Sequence, residues 1–480
     1  MSTTATSTTT PSAKKPASSA GPAVTTTDNN SYSHNYGVES YLARINYGFK
    51  SRYYIDASWR TDGSSRFHPS DRWGHFWSVG ASWRISEEQF MENTRQWLDN
   101  LTLKVSYGVQ GNDNLGTYYA WQGLYDYTWP NATDAGAFVD KLENRKVTWE
   151  KNGNLNAGIE ATMFGGRLGV SVEYYNRKTR DMLLNSPLPI STGFTGFNDN
   201  VGSLRNQGLE VSLRGTILDK RDFRWDATLM GSFNRNKVLS LTGGQDVITS
   251  GIRVIEVGRP IYTFYLPKTA GVDPATGKQL YYAYWTQTVN DEGALVNTRC
   301  DEYITDNVAM ATLSKYYHES REPKLFGSIG STFTILKNID VSFLTTYSIG
   351  GWVYDGLYNG SMYVQYAGNN WHKNAKRRWQ KPGDKTDVPM LEVGGSYATA
   401  SNSLIDASYF AIKNITVGYT LPKRWLKKID IESLRIYATL DNIAMFNHMD
   451  GMDPQYNFTG SVAYSYTPSR VIAFGIDLNF

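Results

Sequence analysis

One cysteine in 480 residues, Cys300, leaves no internal disulfide to form, and with no His/Asp pattern beside it the thiol reads as inert. Histidine is equally scarce, at six residues, and none stands in a metal-ligand spacing, which excludes an ordinary zinc site. No stretch reaches the about 18 consecutive apolar residues of a membrane-crossing helix. The net charge of +3 is too small to point to nucleic acid. There is no Gly-x-Ser-x-Gly, no His-Glu-x-x-His and no paired-carboxylate arrangement, so no enzyme and no cofactor is expected. Residues 1–38 are a Ser/Thr/Ala/Pro-rich tract lacking the charged start and apolar core of a signal peptide. With no apolar periodicity, the tract is expected to be disordered. The folded part is expected over 39–480.

What is abundant is aromatic and glycine: 33 Tyr, 14 Trp, 19 Phe and 43 Gly. Mean hydropathy is only −0.45, which leaves room for a membrane barrel, whose strands give every second residue to lipid. The last ten residues show this pattern plainly. Phe474, Ile476, Leu478 and Phe480 share one face, with Gly475, Asp477 and Asn479 between them. The same alternation recurs around Tyr41–Phe49, Tyr53–Arg60, Trp77–Trp83, Leu101–Val109, Leu155–Met163, Leu168–Tyr174 and Leu209–Leu213. It continues at Trp225–Phe233, Phe326–Phe333, Ile339–Tyr347, Ile415–Leu421 and Leu434–Leu440. That makes roughly thirteen strands of membrane-crossing length.

Connections alternate in size. Short turns fall at Lys50-Ser51, Gly165-Gly166, 218–223 and 336–338, and long excursions at about 111–152, 179–205, 238–320, 353–406 and 446–469. Short turns at one rim and long loops at the other are the outer-membrane arrangement. The opposite strand faces carry Arg44, Asp56, Arg60, Lys104, Glu160, Glu173, Glu210, Arg214, Asp226, Asp340 and Asp441. Charges at strand centres need water or partners, which a wide lumen supplies and a packed sandwich does not. The fold class is therefore all-β, an antiparallel transmembrane β-barrel portion. An odd strand count implies that something precedes Tyr41, because bacterial single-chain barrels have an even number of strands.

Specific motifs carry a family resemblance. They are Arg60-Thr-Asp-Gly-Ser-Ser-Arg66-Phe67, Trp73-Gly-His-Phe76 through Trp83-Arg84-Ile85-Ser-Glu-Glu-Gln-Phe90, Ser106-Tyr-Gly-Val-Gln-Gly-Asn112 and Thr148-Trp149-Glu150-Lys151. Further on stand Asn206-Gln-Gly208-Leu-Glu210, Arg378-Trp379-Gln-Lys-Pro382-Gly383-Asp384, Ile412-Lys-Asn414 through Gly418-Tyr419-Thr-Leu-Pro422, and Gly451-Met-Asp453-Pro454. In order and over nearly all of Tyr41 to Phe480, these resemble the SusC/RagA-type TonB-dependent outer-membrane transporters of Bacteroidetes. The resemblance implies a barrel of about 22 strands plugged by an N-terminal domain. It also implies import of oligosaccharides or peptides captured with a SusD/RagB-like lipoprotein lid and powered by TonB. On that reading this chain holds about 13 of 22 strands and no plug domain or TonB-contacting segment, as a C-terminal fragment would. A surface-binding, adhesin-like barrel that does not transport is the alternative.

Ligand contacts are expected in the long excursions, from Tyr281, Tyr282, Tyr284 and Trp285, and from Trp352, Tyr354, Tyr358, Asn359, Tyr363, Tyr366, Asn369, Asn370 and Trp371. Flat amphipathic rings beside amides suit a sugar face or a peptide backbone. Packing of loop against loop is the competing use of the same residues. Asp62-Gly63-Ser64-Ser65 reads as a β-turn, and Ser86 as the N-cap of a short helix reaching Leu98.

Overall fold

In lipid, backbone N–H and C=O groups find no water, so a strand must satisfy them on its neighbours. A computed structural model describes residues 34–126, 136–241, 246–362, 368, 370–392, 395, 397–426, 431–449, 451–455, 459–462 and 466–480. Thirteen strands form one large sheet: β1 Val38–Phe49, β2 Tyr53–Ser64, β3 Trp73–Arg84, β4 Leu98–Asn112, β5 Glu150–Met163, β6 Leu168–Arg180, β7 Ser203–Lys220, β8 Phe223–Ser240, β9 Leu325–Ile335, β10 Ile339–Ile349, β11 Tyr409–Thr420, β12 Ser433–Asn447 and β13 Val471–Asn479. Each pairs antiparallel with the next in sequence, and β1 and β13 are the two edges. The strands expected from alternation are these thirteen. Most of the 1–38 tract lies outside the described residues. Its last residues lead into β1, where the Tyr36 hydroxyl donates to Asp113 at 2.8 Å.

Apolar side chains cover the outward face, and rings gather at its borders. Phe49, Tyr53 and Trp83 follow one another at the short-turn rim, as do Phe223, Trp225, Phe333 and Phe343. At the long-loop rim Tyr41 stacks on Trp73, and Trp77 meets Tyr107. Two bands of aromatic rings flanking an apolar belt match an interface girdle.

Two local expectations are corrected. Asp62, Gly63 and Ser64 do not turn; they extend β2, opposite Ser40, Glu39 and Val38 on one side, with Asp62 and Gly63 opposite Gly74 and Trp73 on the other. The side chains that suggested a turn have partners instead: Arg60 Nε donates to Asp62 at 2.5 Å, and Ser64 Oγ to Asp113 at 2.6 Å. Gly63 is required for closeness, since a Cβ there would meet the Trp73 ring at 3.0 Å. The chain turns only over 65–72.

Ser86 is not an N-cap either. It is buried inside the first of two 3-10 turns, Ile85–Glu87 and Gln89–Thr94. Glu88 between them is extended, held by Trp83 Nε1 at 3.0 Å and Arg52 Nη1 at 3.1 Å. Those two donors, Trp83 at the end of β3 and Arg52 in the turn before β2, hold residue 88 in extended backbone.

The tightest hairpins use left-handed residues that are not glycine. Lys50 and Ser51 have φ of 50° and 56°, and Leu336 and Lys337 have 49° and 64°. Paired positive φ matches the right-handed strand twist, at a cost of about 1–2 kcal/mol per L-residue. Lys337→Gly should therefore stabilise the folded full-length protein by about 1 kcal/mol. A urea titration in detergent reads this as a higher midpoint, and a lower midpoint refutes the turn assignment.

Candidate functional site

The inward face is polar at alternate positions, and its charges meet across strands. Arg44 lies 2.7 Å from Asp56, Lys104 2.6 Å from Glu160, and Arg435 2.6 Å from Asp340 and 3.2 Å from Asp477. Such half-exposed pairs contribute only about 0.2–1 kcal/mol each. Their larger effect is to neutralise a hydrated wall. Glu173 and Glu210, by contrast, sit directly opposite one another, along a groove of about 900 Å³ that also takes in Arg60 and Arg177.

Above this groove, under the long loops, lies a second chamber of about 580 Å³. Its wall is rich in amides: Asn152, Asn206, Asn234 and Asn236. Asn236 Nδ2 donates to Asn206 Oδ1 at 2.7 Å, the Tyr175 hydroxyl to Asn234 Oδ1 at 2.7 Å, and Thr179 Oγ1 to Asn152 Oδ1 at 2.6 Å. The loop side supplies Tyr262, Arg321 and Glu322, and Gln455 comes from the last excursion. Burial pushes the Glu322 carboxyl up to about 7, although a backbone hydrogen bond from Asn236 works against it. A chamber lined by fixed amides, a guanidinium and a carboxyl that titrates near neutrality can bind polar, hydrogen-bonding ligands.

Sequence reasoning did not single out this lining. A signal existed for part of it, since Asn152, Asn154 and Asn156 repeat at period two, as do Asn234 and Asn236. Nothing in the sequence marks Arg321 and Glu322, which acquire their burial only when the loops fold over them.

The loops themselves form two blocks. Phe67, Phe76, Val147 and Trp149 join 65–72 to 113–149, with Trp149 Nε1 donating to the Arg72 carbonyl at 2.7 Å. Asn200 Nδ2 donates to the Thr148 carbonyl at 2.9 Å, which adds 181–202. In the other block Phe264, Leu266 and Tyr354 pack together, joining 241–324 to 350–408. Val353, Ala407, Met449 and Met452 add 448–470, whose Ser461–Val462 strand runs parallel to Trp352–Asp355.

The aromatics singled out for ligand contact divide between these roles. Tyr281 is 1 % exposed, and its hydroxyl accepts from the Ala398 N–H at 3.1 Å. Burial pushes that phenol up to about 12. Tyr354, 6 % exposed, belongs to the packed core of the cap. Both hold loop to loop. Trp352 packs against the same core, Tyr358 and Trp371 against Met362, Ala375 and Val388, and Asn359 Oδ1 accepts from Ser403 at 3.1 Å. Tyr284 donates to the Lys315 carbonyl at 2.6 Å. Tyr282 and Trp285 are half-buried, and Asn370 is exposed. Tyr363, Tyr366 and Asn369 lie outside the described residues. The 281–285 and 352–371 groups do share one cap, tied by Thr269 N–H to Ser401 Oγ at 3.1 Å and Trp379 Nε1 to the Pro274 carbonyl at 2.9 Å.

An antiparallel meander with a charged interior, an apolar exterior and loop-built caps on one rim defines a large outer-membrane-type barrel wall. The sequence profile described as "TonB dependent receptor-like, beta-barrel" matches residues 3–443, and the chain belongs to that family. Its similarities are of the SusC/RagA type. It is 28% identical over 468 residues to the TonB-dependent receptor SusC of Bacteroides thetaiotaomicron, covering 94% of this chain and 45% of that protein. A TonB-dependent receptor of Formosa agariphila is 29% identical over 476 residues, covering 92% of this chain and 46% of the relative. The solved RagAB peptide transporter superposes with a TM-score of 0.80 at 29% identity, over 94% of this chain and 48% of that one. The chain thus spans about half the length of the relatives it matches.

Glu322 supplies a pH test. Its folded pKa is raised above the ordinary carboxylate value, so folding binds the proton more tightly than the unfolded chain does. Its favourable contribution is complete below about 4.5 and is lost as pH rises toward about 7. Amide exchange in 241–324 should therefore be slower at pH 5 than at pH 8 after correction for intrinsic rates. Glu322→Gln should flatten that difference. An unchanged difference in the variant would place the titrating group elsewhere.

Proposed function

We propose that this chain is the C-terminal part of the barrel of an outer-membrane importer, in which TonB drives uptake of oligosaccharides or peptides through a plugged lumen. A SusD/RagB-like lipoprotein closes over the long loops, and TonB acts through regions preceding this stretch. The observation that carries the reading is the sheet itself: thirteen neighbouring strands, lipid-compatible outside and charged inside, with TM-score 0.80 to the RagAB peptide transporter. A wide hydrated wall on which acids such as Glu173 and Glu210 face each other suits a lumen that a plug fills. Ligand enters from the long-loop side. There the exposed parts of Tyr282, Tyr284, Trp285, Trp352, Tyr358, Asn359, Asn370 and Trp371 remain the contact candidates, with the amide-lined chamber below them.

Two experiments test this on the full-length protein. Cells expressing it should take up a candidate glycan or peptide, and collapse of the proton gradient should abolish uptake. Uptake that persists rejects an energised importer, and binding without uptake favours the adhesin-like alternative. For topology, Asn290→Cys and Asn370→Cys, each with Cys300 replaced, should react with an impermeant thiol reagent on whole cells. Lys220→Cys should not react. Labelling at Lys220→Cys alone inverts the orientation.

A further inference from the structure

Among the described residues, the outward, lipid-directed face gathers cations at one place. Near the long-loop rim of β5 to β8 it carries Lys151, Lys178, Arg180, Arg205, Arg235 and Lys237. Alternation places these residues outside, because their neighbours Asn152, Arg177, Thr179, Asn206, Asn234 and Asn236 line the inner chamber. Register brings the cations together. Lys178 is directly opposite Arg205, Arg205 is opposite Lys237, and Lys151 is opposite Arg180.

Like charges facing each other across strands destabilise a sheet, more so at the edge of a low-dielectric layer. Acidic side chains scarcely relieve this row. Asp181 stands 4.0 Å from Lys151, and among the described residues no carboxylate pairs with Lys178, Arg180, Arg205, Arg235 or Lys237. Elsewhere near this rim the outward positions hold rings instead, such as Trp59, Trp77, Tyr107 and Phe410.

Lys151, Lys178, Arg180 and Arg205 line an external groove of about 490 Å³ together with Trp77, Tyr107, Val109 and Leu155, and Lys237 flanks it from its position opposite Arg205. Cations above and apolar surface below match a molecule with a multiply charged anionic head and hydrocarbon tails. Free phosphate would use the first and have no need of the second. We propose that this groove is a binding site for a phosphate-bearing lipid of the outer leaflet, its phosphates in contact with Lys178, Arg205 and Lys237. The choice of leaflet rests on the orientation proposed above. Recognition of the lipid does not depend on transport.

The test uses the purified full-length protein in detergent and three probes: bis-phosphorylated lipid A, the same lipid with its phosphates removed, and inorganic phosphate. Lipid A should bind, the dephosphorylated form should bind at least about tenfold more weakly, and millimolar inorganic phosphate should not displace the lipid. The triple variant Lys178→Gln/Arg205→Gln/Lys237→Gln should lose lipid A binding by at least about tenfold, while Lys178→Arg/Lys237→Arg retains it. Heat-modifiable migration on a gel verifies that each variant is folded. Equal binding of both lipids, displacement by inorganic phosphate, or an unaffected triple variant overturns the proposal. Lipid binding by a protein that fails in uptake would sink the importer reading alone.

Discussion

The whole molecule depends on one constraint: backbone groups placed in hydrocarbon must be satisfied by neighbouring strands. Each unpaired group there costs several kcal/mol. An antiparallel meander meets the requirement with the shortest connections, and it forces side chains to alternate between two surroundings. Everything else described follows from that alternation, including the ion-paired inner wall, the ringed outer face and the amide column beneath the loops.

That is why the sheet was legible in the sequence and much of the rim was not. Alternation is a property of consecutive residues, so Phe474, Ile476 and Leu478 announce a strand without reference to anything distant. Asp62-Gly63-Ser64 misled because turn-forming residues are judged locally. Their true partners, Gly74, Trp73 and Asp113, come from β3 and from the residue just after β4. Ser86 failed in the same way, since the Glu88 carboxylate is held by Arg52 and Trp83, residues distant in sequence or on the preceding strand, while its backbone N–H only closes the short Ile85–Glu87 turn.

The candidate site shows the same division. Composition correctly suggested that the excursions are aromatic and amide-rich. It could not distinguish a ring that faces solvent from one that glues two loops together. Tyr281 and Tyr282 are adjacent, yet one is enclosed by Ala311, Ala398 and Ala400 and the other is half-buried. Only long-range packing makes that distinction. Arg321 and Glu322 look in sequence like ordinary surface charges, and they meet the chamber because 241–324 folds back over β8 and β9.

The two loop blocks have a mechanical meaning. One ties the outer ends of β2 to β7, the other those of β8 to β13, and they meet where β7 and β8 pair. Those two strands are 18 residues each and share the most extended register in the sheet. A pull on the Gln279–Val289 hairpin strand would be shared by six staves through the Phe264, Tyr354 and Met452 contacts. Shear between the staves would then concentrate along the β7–β8 seam, the joint with the greatest length over which to resist it.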